Sequence, residues 1–163
     1  MMIFLRYLYI LALVVWLGGM VVAGGVAAPW IFSVLEAWHP VDGRVLAGRV
    51  FGEVLQRVYV LGYAMADVMF VSLTLHRLLG ARPIRYGVRA TILALMVAFT
   101  LVADYHVGPQ VAAIQARGSG PVSALPADDP IRVEFNRLHG LANILLSLTV
   151  AGGLGLLFWE ARE

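Results

Sequence analysis

Residues 7–35 read YLYILALVVWLGGMVVAGGVAAPWIFSVL, and no charged side chain interrupts them between Arg6 and Glu36. An α-helix rises about 1.5 Å per residue, so about 20 apolar residues cross the roughly 30 Å hydrocarbon core of a bilayer. The stretch is also much longer than the apolar core of a cleaved signal peptide, which is usually about 7–15 residues. We therefore predict a retained transmembrane helix.

Three further apolar segments follow, and the charge pattern defines them. Between Arg57 and Arg77 the only charged residue is Asp67, and residues 138–159 contain no arginine, aspartate or glutamate. The third segment is long enough to cross a membrane only if it runs through Asp104. Because short connections between successive spans favour antiparallel packing, the sequence predicts an all-α, integral membrane antiparallel four-helix bundle. Its single domain covers 1–163, and the predicted spans are about 4–35, 54–78, 88–114 and 131–159.

Turn-forming residues separate these segments. Pro40-Val41-Asp42-Gly43 follows the first, Gly80-Ala81-Arg82-Pro83 follows the second, and residues 118–130 form the longest connection. Asp129 followed by Pro130 is typical of a helix N-cap and the first helical position. We therefore predict that the fourth helix begins there, before the membrane, with an amphipathic first part that carries Arg132, Glu134 and Arg137.

The composition excludes several classes of protein. The chain is 61% hydrophobic and 13% charged, with a mean hydropathy of +0.84, whereas soluble domains are about 45–50% apolar and about 25% charged. Cysteine is absent, which excludes disulfides and thiolate ligands, and all 12 basic residues are arginine, which excludes Schiff-base chemistry. We find no motif for hydrolysis and no feature of a nucleic-acid-binding protein; the expected partner is the lipid bilayer.

The arginines predict the orientation. Arg77, Arg82, Arg85 and Arg89 crowd the second connection without an acid among them, and cytoplasmic loops are enriched in such residues. The total number of arginines does not decide the orientation, because six are predicted on each side of the membrane. On the strength of the second connection, we predict a multi-pass protein of the inner (cytoplasmic) membrane with both termini in the cytoplasm.

Polar residues from three spans are predicted to lie at one depth. We count about 1.5 Å per residue from Arg77 and Arg89 at the inner boundary, and from Arg137 at the outer boundary. Asp67 then lies about 15 Å up, near the midplane. The residues that fall at about 21–27 Å are Tyr59, Tyr63, Asp104, His106, His139 and Asn143.

Two histidines in this layer suggest a cofactor. Neutral imidazoles on facing helices can ligate haem iron from both sides, so we predict His106 and His139 as ligands of haem b, with a redox role. Side chains around them would fix the tautomer and the charge; these are Asn143, Tyr59, Tyr63 and Asp104. The same histidines with Asp104 or Glu53 suit copper or zinc instead.

Two other functions fit the same sequence. In the first, the protein is a cofactor-free scaffold or accessory subunit that forms a homo-oligomer or joins a larger membrane complex. Small residues four apart in the first span, Gly19, Ala23 and Ala27, would allow the close approach of helices. In the second, Asp67 and Asp104 form the path of a small ion or metal transporter, because acids within a membrane often mark such paths.

Three segments together resemble a known family. They are Trp16-Leu17-Gly18-Gly19 with Ala27-Ala28-Pro29-Trp30-Ile31-Phe32, Gly108-Pro109, and Phe135-Asn136-Arg137-Leu138-His139-Gly140 with Asn143. The pattern resembles the bacterial relatives of transmembrane protein 205, a four-span family of unknown biochemical function, and implies a compact membrane bundle. The organisation is similar, more distantly, to copper-resistance D proteins and membrane protoporphyrinogen oxidases, which implies haem or copper. The lysine associated with the oxidases has no counterpart here.

Overall fold

The computed structural model describes residues 2–79, 85–117 and 120–162, and these ranges contain helices and no strand. The α-helices are α1 (Met2–Val22), α2 (Ala28–Trp38), α3 (Gly43–Leu79), α4 (Tyr86–Leu101), α5 (Gly108–Arg117) and α6 (Pro130–Glu160). The predicted breaker Gly80-Ala81-Arg82-Pro83 lies outside the described residues, as do Gly118 and Ser119.

Four helical segments are long and apolar enough to cross a membrane. The first span is Ile3–Trp38, the second is Gly43–Leu79, the third is Tyr86–Arg117 and the fourth is Pro130–Glu160. The predicted all-α four-helix bundle is confirmed. The helix of the second span, α3, begins at Gly43 rather than near residue 54, because turns that carry the exposed side chains of Arg44, Arg49 and Glu53 continue the helix beyond its uncharged part.

The spans pack as a four-cornered bundle. The first span contacts the second and the fourth, and the third span also contacts the second and the fourth. The second and fourth spans, α3 and α6, therefore occupy opposite corners. Arg6 contacts Glu160, so the two ends of the chain meet at one end of the bundle, which we call the terminal end.

The first and third spans each contain a π-helical turn before a proline. Ala23–Ala27 joins α1 to α2 and Val102–Val107 joins α4 to α5; Pro29 and Pro109 follow within two residues. Proline has no N–H and cannot bond to the carbonyl four residues back. The chain accommodates this with wider hydrogen bonds, from the Ala28 N–H to the Ala23 carbonyl and from the Gly108 N–H to the Ala103 carbonyl.

Two connections form as the sequence indicates. The Pro40–Asp42 turn leads directly into α3, and a Cβ at Gly43 would overlap the Leu35 carbonyl, so the turn requires glycine. The N-cap of α6 is confirmed: the Asp129 carboxylate accepts a hydrogen bond of 2.8 Å from the Ile131 N–H, and Pro130 is the first helical residue.

The small residues of the first span contact helices of the same chain. A Cβ at Gly19 would lie 3.8 Å from side-chain atoms of Leu61 and Val58 in α3, and one at Gly24 would lie 3.2 Å from Leu146 in α6. Ala23 is buried. Ala23 therefore packs inside the bundle, and Gly19, which is half-buried, lies beside α3 of the same chain.

Candidate functional site

A cluster of charged side chains is buried at the terminal end of the bundle. Glu160 accepts hydrogen bonds from two arginines, at 2.5 Å from Arg89 Nη1 and at 3.1 Å from Arg6 Nε. Arg6 Nη2 also donates to the Glu160 carbonyl oxygen at 2.8 Å. Arg89 and Glu160 are only 3% and 6% exposed. We call these three residues the arginine–glutamate cluster; it ties the first, third and fourth spans together.

The second span completes this end of the bundle. A cavity of about 10 Å³ adjoins the cluster and is also lined by Tyr9, Ser72 and His76. That volume is close to the minimum for one water molecule. The geometry of the cluster supports a role in holding the ends of the first, third and fourth spans together, with the second span packed beside them.

The sequence interpretation did not find this cluster. It placed Arg89 at the membrane boundary and gave Glu160 no role. The sequence does contain a signal for it. Arg6, Arg89 and Glu160 are ionisable and belong to three different spans, and counting residues along antiparallel helices places all three at the same end of the bundle.

A second polar contact joins the second and third spans. Tyr63 Oη donates a hydrogen bond of 3.0 Å to Asp104 Oδ2. Tyr59, one turn away on α3, is buried. The depth count put Tyr63 and Asp104 at the same level, and the hydrogen bond agrees with that count.

We expect Tyr63→Phe to lower the free energy of unfolding by about 1 kcal/mol, because hydrogen bonds between transmembrane helices average about 0.6 kcal/mol and reach about 1.7 kcal/mol. Unfolding of the purified protein in mixed detergent micelles measures this. Tyr105→Phe is the matched control, since Tyr105 is 73% exposed and makes no hydrogen bond with any residue in the described part of the chain. Equal losses from both variants would contradict a role for the Tyr63–Asp104 bond.

The two predicted haem ligands lie on the outer surface of the bundle. His106 is exposed, and its Nε2 is 3.1 Å from Nε2 of Gln110, which also donates to the His106 carbonyl. His139 is exposed and stacks on Phe135, with 5.9 Å between ring centroids. Asn143 is exposed as well. The expectation that the two imidazoles point at each other inside the bundle is not supported.

The rotation of the helices explains this placement. Successive residues are about 100° apart around a helix, so His139, next to buried Leu138, and Asn143, two residues before buried Leu145, both turn outward. Within the ranges that the structure describes, no group of three or more histidine, aspartate or glutamate side chains is close enough to hold a metal ion.

Asp67 is also exposed, near the middle of the second span. Tyr63 lies one turn away on the same helix. Tyr63 bonds to Asp104 instead, and Asp67 has no hydrogen bond or ion pair with any residue in the described part of the chain. Its neighbours on the outer face of α3 are apolar: Val60 and Val71 are exposed.

The fold and these sites define the class of protein: a four-span helical membrane protein whose helix ends are tied by a buried ionic cluster. The model of a family described as a domain of unknown function (DUF4149) matches residues 11–119, more than half of the chain, and the protein belongs to this family. The match covers the first three spans. No curated protein and no solved structure shows significant similarity to the chain. The resemblance to relatives of transmembrane protein 205 stays a prediction.

Proposed function

We propose that the protein is an accessory subunit of a membrane assembly, and that the outer face of α3 around Asp67 docks a transmembrane helix of a different protein that carries a cationic side chain. The observation that supports this is the exposure of a carboxylate near the middle of a membrane span. A charged residue at the centre of a membrane helix costs about 2.5–3.5 kcal/mol on insertion scales, and such residues usually face a bundle interior. A partner cation would offset that cost.

Charge complementarity favours a cationic partner. Tyr63, one turn from Asp67, holds the second carboxylate, Asp104, and residues four apart share a helix face. A helix that docks on this face therefore meets Asp67 directly and approaches Asp104 through Tyr63. A lysine or arginine on the partner pairs with Asp67 in a medium where ion pairs are weakly screened.

A second copy of this chain does not offer such a cation. The chain contains no lysine, and the arginines nearest to Asp67 on α3 are Arg57 and Arg77, each ten residues away. Ten helical residues span about 15 Å, half the hydrocarbon thickness. In a symmetric pair of copies with the same membrane orientation, Asp67 would face the same carboxylate of its neighbour. The partner is therefore a different protein.

A photo-crosslinking amino acid in place of Val71, which is 57% exposed and one turn from Asp67, tests this in native membranes. We expect one adduct, whose transmembrane segment carries a lysine or arginine, and a loss of at least tenfold with Asp67→Leu but not with Asp67→Glu. Tenfold corresponds to about 1.4 kcal/mol. The same crosslinker in place of Leu95, which is 48% exposed on α4, is the control.

Two outcomes would overturn the proposal: an adduct that is insensitive to Asp67→Leu, or a partner segment without a cation. A charge exchange gives the reciprocal test. Asp67→Arg should lose the adduct, and replacement of the partner's cation by aspartate should restore it.

The haem b prediction, and its copper or zinc alternative, rest on the sequence alone. Because His106 and His139 are exposed on one chain, an axial pair would need histidines from two chains. The deciding measurement is the absorption spectrum of the protein purified from haem-supplied cells. A Soret band that disappears in His139→Ala would support haem, and a stoichiometric metal lost in the same variant would support the alternative.

A further inference from the structure

We infer that α6 forms a twofold-symmetric contact with a second copy of this chain through His139, Asn143, Ser147 and Ala151. These four residues, which we call the α6 stripe, are spaced by four along the helix, and all four are exposed. The opposite side of α6, with Leu138, Leu145 and Leu156, is buried against the bundle. The α6 stripe therefore faces away from the protein's own core.

The α6 stripe is polar where a lipid-facing surface is usually apolar. Asn143, Ser147 and His139 make no hydrogen bond with any residue in the described ranges, and His139 stacks on the ring of Phe135. Hydrocarbon offers polar groups no partner, so side chains of these types usually hydrogen-bond across helix interfaces in membranes. The small side chain of Ala151 permits the close approach that such bonds require.

The chemistry of the α6 stripe selects a copy of itself as the occupant. A twofold axis places each residue at the axis opposite the same residue of its partner. Asparagine, serine and neutral histidine each carry both a donor and an acceptor, so each pairs with its own copy. None of them is an acid, so symmetry brings no like charges together, in contrast to Asp67. A spacing of four residues also matches the right-handed crossings found in membrane helix dimers.

This contact is independent of the proposed function. α3 and α6 occupy opposite corners of the bundle, so a dimer through the α6 stripe leaves the Asp67 face open to a different protein. It also gives a role to the Leu138-His139-x-x-x-Asn143 motif: Leu138 packs in the core, whereas His139 and Asn143 face the second copy.

Disulfide crosslinking of the purified protein in nanodiscs tests the inference, because the chain has no cysteine of its own. We expect Ser147→Cys to form a disulfide-linked dimer at least tenfold faster than Leu148→Cys. Leu148 is the matched control: it is 45% exposed and lies at the same depth, but about 100° around the helix. Equal rates for the two variants would overturn the inference.

A second measurement uses the chain without cysteine. Ala151→Leu places a bulky side chain in the contact and should lower the dimer fraction, measured by native mass spectrometry, at least tenfold, while the helix content measured by circular dichroism stays unchanged because the position is exposed. Ile144→Leu, on the exposed side of the same helix, should keep the dimer. An unchanged dimer fraction in Ala151→Leu would overturn the inference. Asp67→Leu should leave this dimer intact, so a failure of the proposed hetero-assembly does not affect the result.

Discussion

Replacement of Glu160 by leucine is expected to lower the free energy of unfolding by about 3–5 kcal/mol, the usual cost of removing one partner from a buried ion pair. Arg89 causes most of the loss, because its side chain is only 4% exposed and it loses the hydrogen-bonded Glu160 carboxylate. Arg6 contributes less, since 36% of its side chain is exposed and it can turn toward water or lipid headgroups. Unfolding in mixed detergent micelles, followed by circular dichroism, measures the change.

A surface ion pair of the same chain supplies the matched control. Arg44 and Glu36 are 3.4 Å apart, with side chains 55% and 42% exposed. Exposed pairs contribute about 0–1 kcal/mol, so Glu36→Gln should have little effect. The double variant Arg89→Leu with Glu160→Leu should recover much of the loss, because it leaves only the partly exposed Arg6 without a carboxylate. A Glu160→Leu protein as stable as Glu36→Gln would contradict a structural role for the arginine–glutamate cluster.

The depth of each residue could be predicted from the sequence, whereas its rotation around the helix could not. Depth needs only the rise per residue and a charged boundary. It placed Tyr63 and Asp104 at one level, and they are hydrogen-bonded. Predicting the rotation of a helix requires a difference in polarity between its two faces. Ile144 is exposed and its neighbour Leu145 is buried, yet both are equally apolar, since lipid and protein core favour the same side chains.

That missing contrast explains why the sequence predicts an inward orientation for His139, whose side chain is exposed. In a water-soluble bundle, His139 and Asn143 would mark the solvent face of α6 by being polar between apolar residues. In a membrane the same pattern was interpreted as pointing inward, because polar groups within a bilayer usually face the interior. The structure places both on the exposed face of α6. The rule about polar groups therefore does not hold for these two residues in the single chain, and the dimer inferred above would cover them.

The arginine–glutamate cluster was missed for a different reason. Charged residues at the ends of membrane helices usually extend to the headgroups and carry no tertiary information. Glu160 is the exception, because it is the residue at which the first, third and fourth spans meet. An acid that lies among arginines at one end of a bundle is therefore a candidate for a buried ion pair rather than for the membrane–water interface.

Replacement of Gly62 by alanine is expected to lower the free energy of unfolding by about 2–3 kcal/mol, in the upper part of the range for overpacked cores. A Cβ at this position would lie 2.5 Å from Nε1 of Trp16 and 3.0 Å from its Cδ1. Trp16 is 1% exposed, and Leu13 and Met69 are also fully buried, so the rigid indole has little room to move. Unfolding in the same micelles gives the magnitude.

The opposite result is expected for a second glycine of the same helix. A Cβ at Gly52 would meet nothing within 4 Å, so Gly52→Ala should be neutral or stabilising by up to about 1 kcal/mol, the helix propensity of alanine over glycine. Gly62→Ala gains the same helix propensity, so the free-energy cost of its clash with Trp16 must exceed this gain if the variant is to be less stable. Trp16→Phe combined with Gly62→Ala should restore part of the loss, because the smaller ring leaves space for the methyl group. If Gly62→Ala behaved like Gly52→Ala, the indole would not be fixed against α3. The first and second spans would then be held together chiefly by other contacts, such as those of Gly19 with Leu61 and Val58.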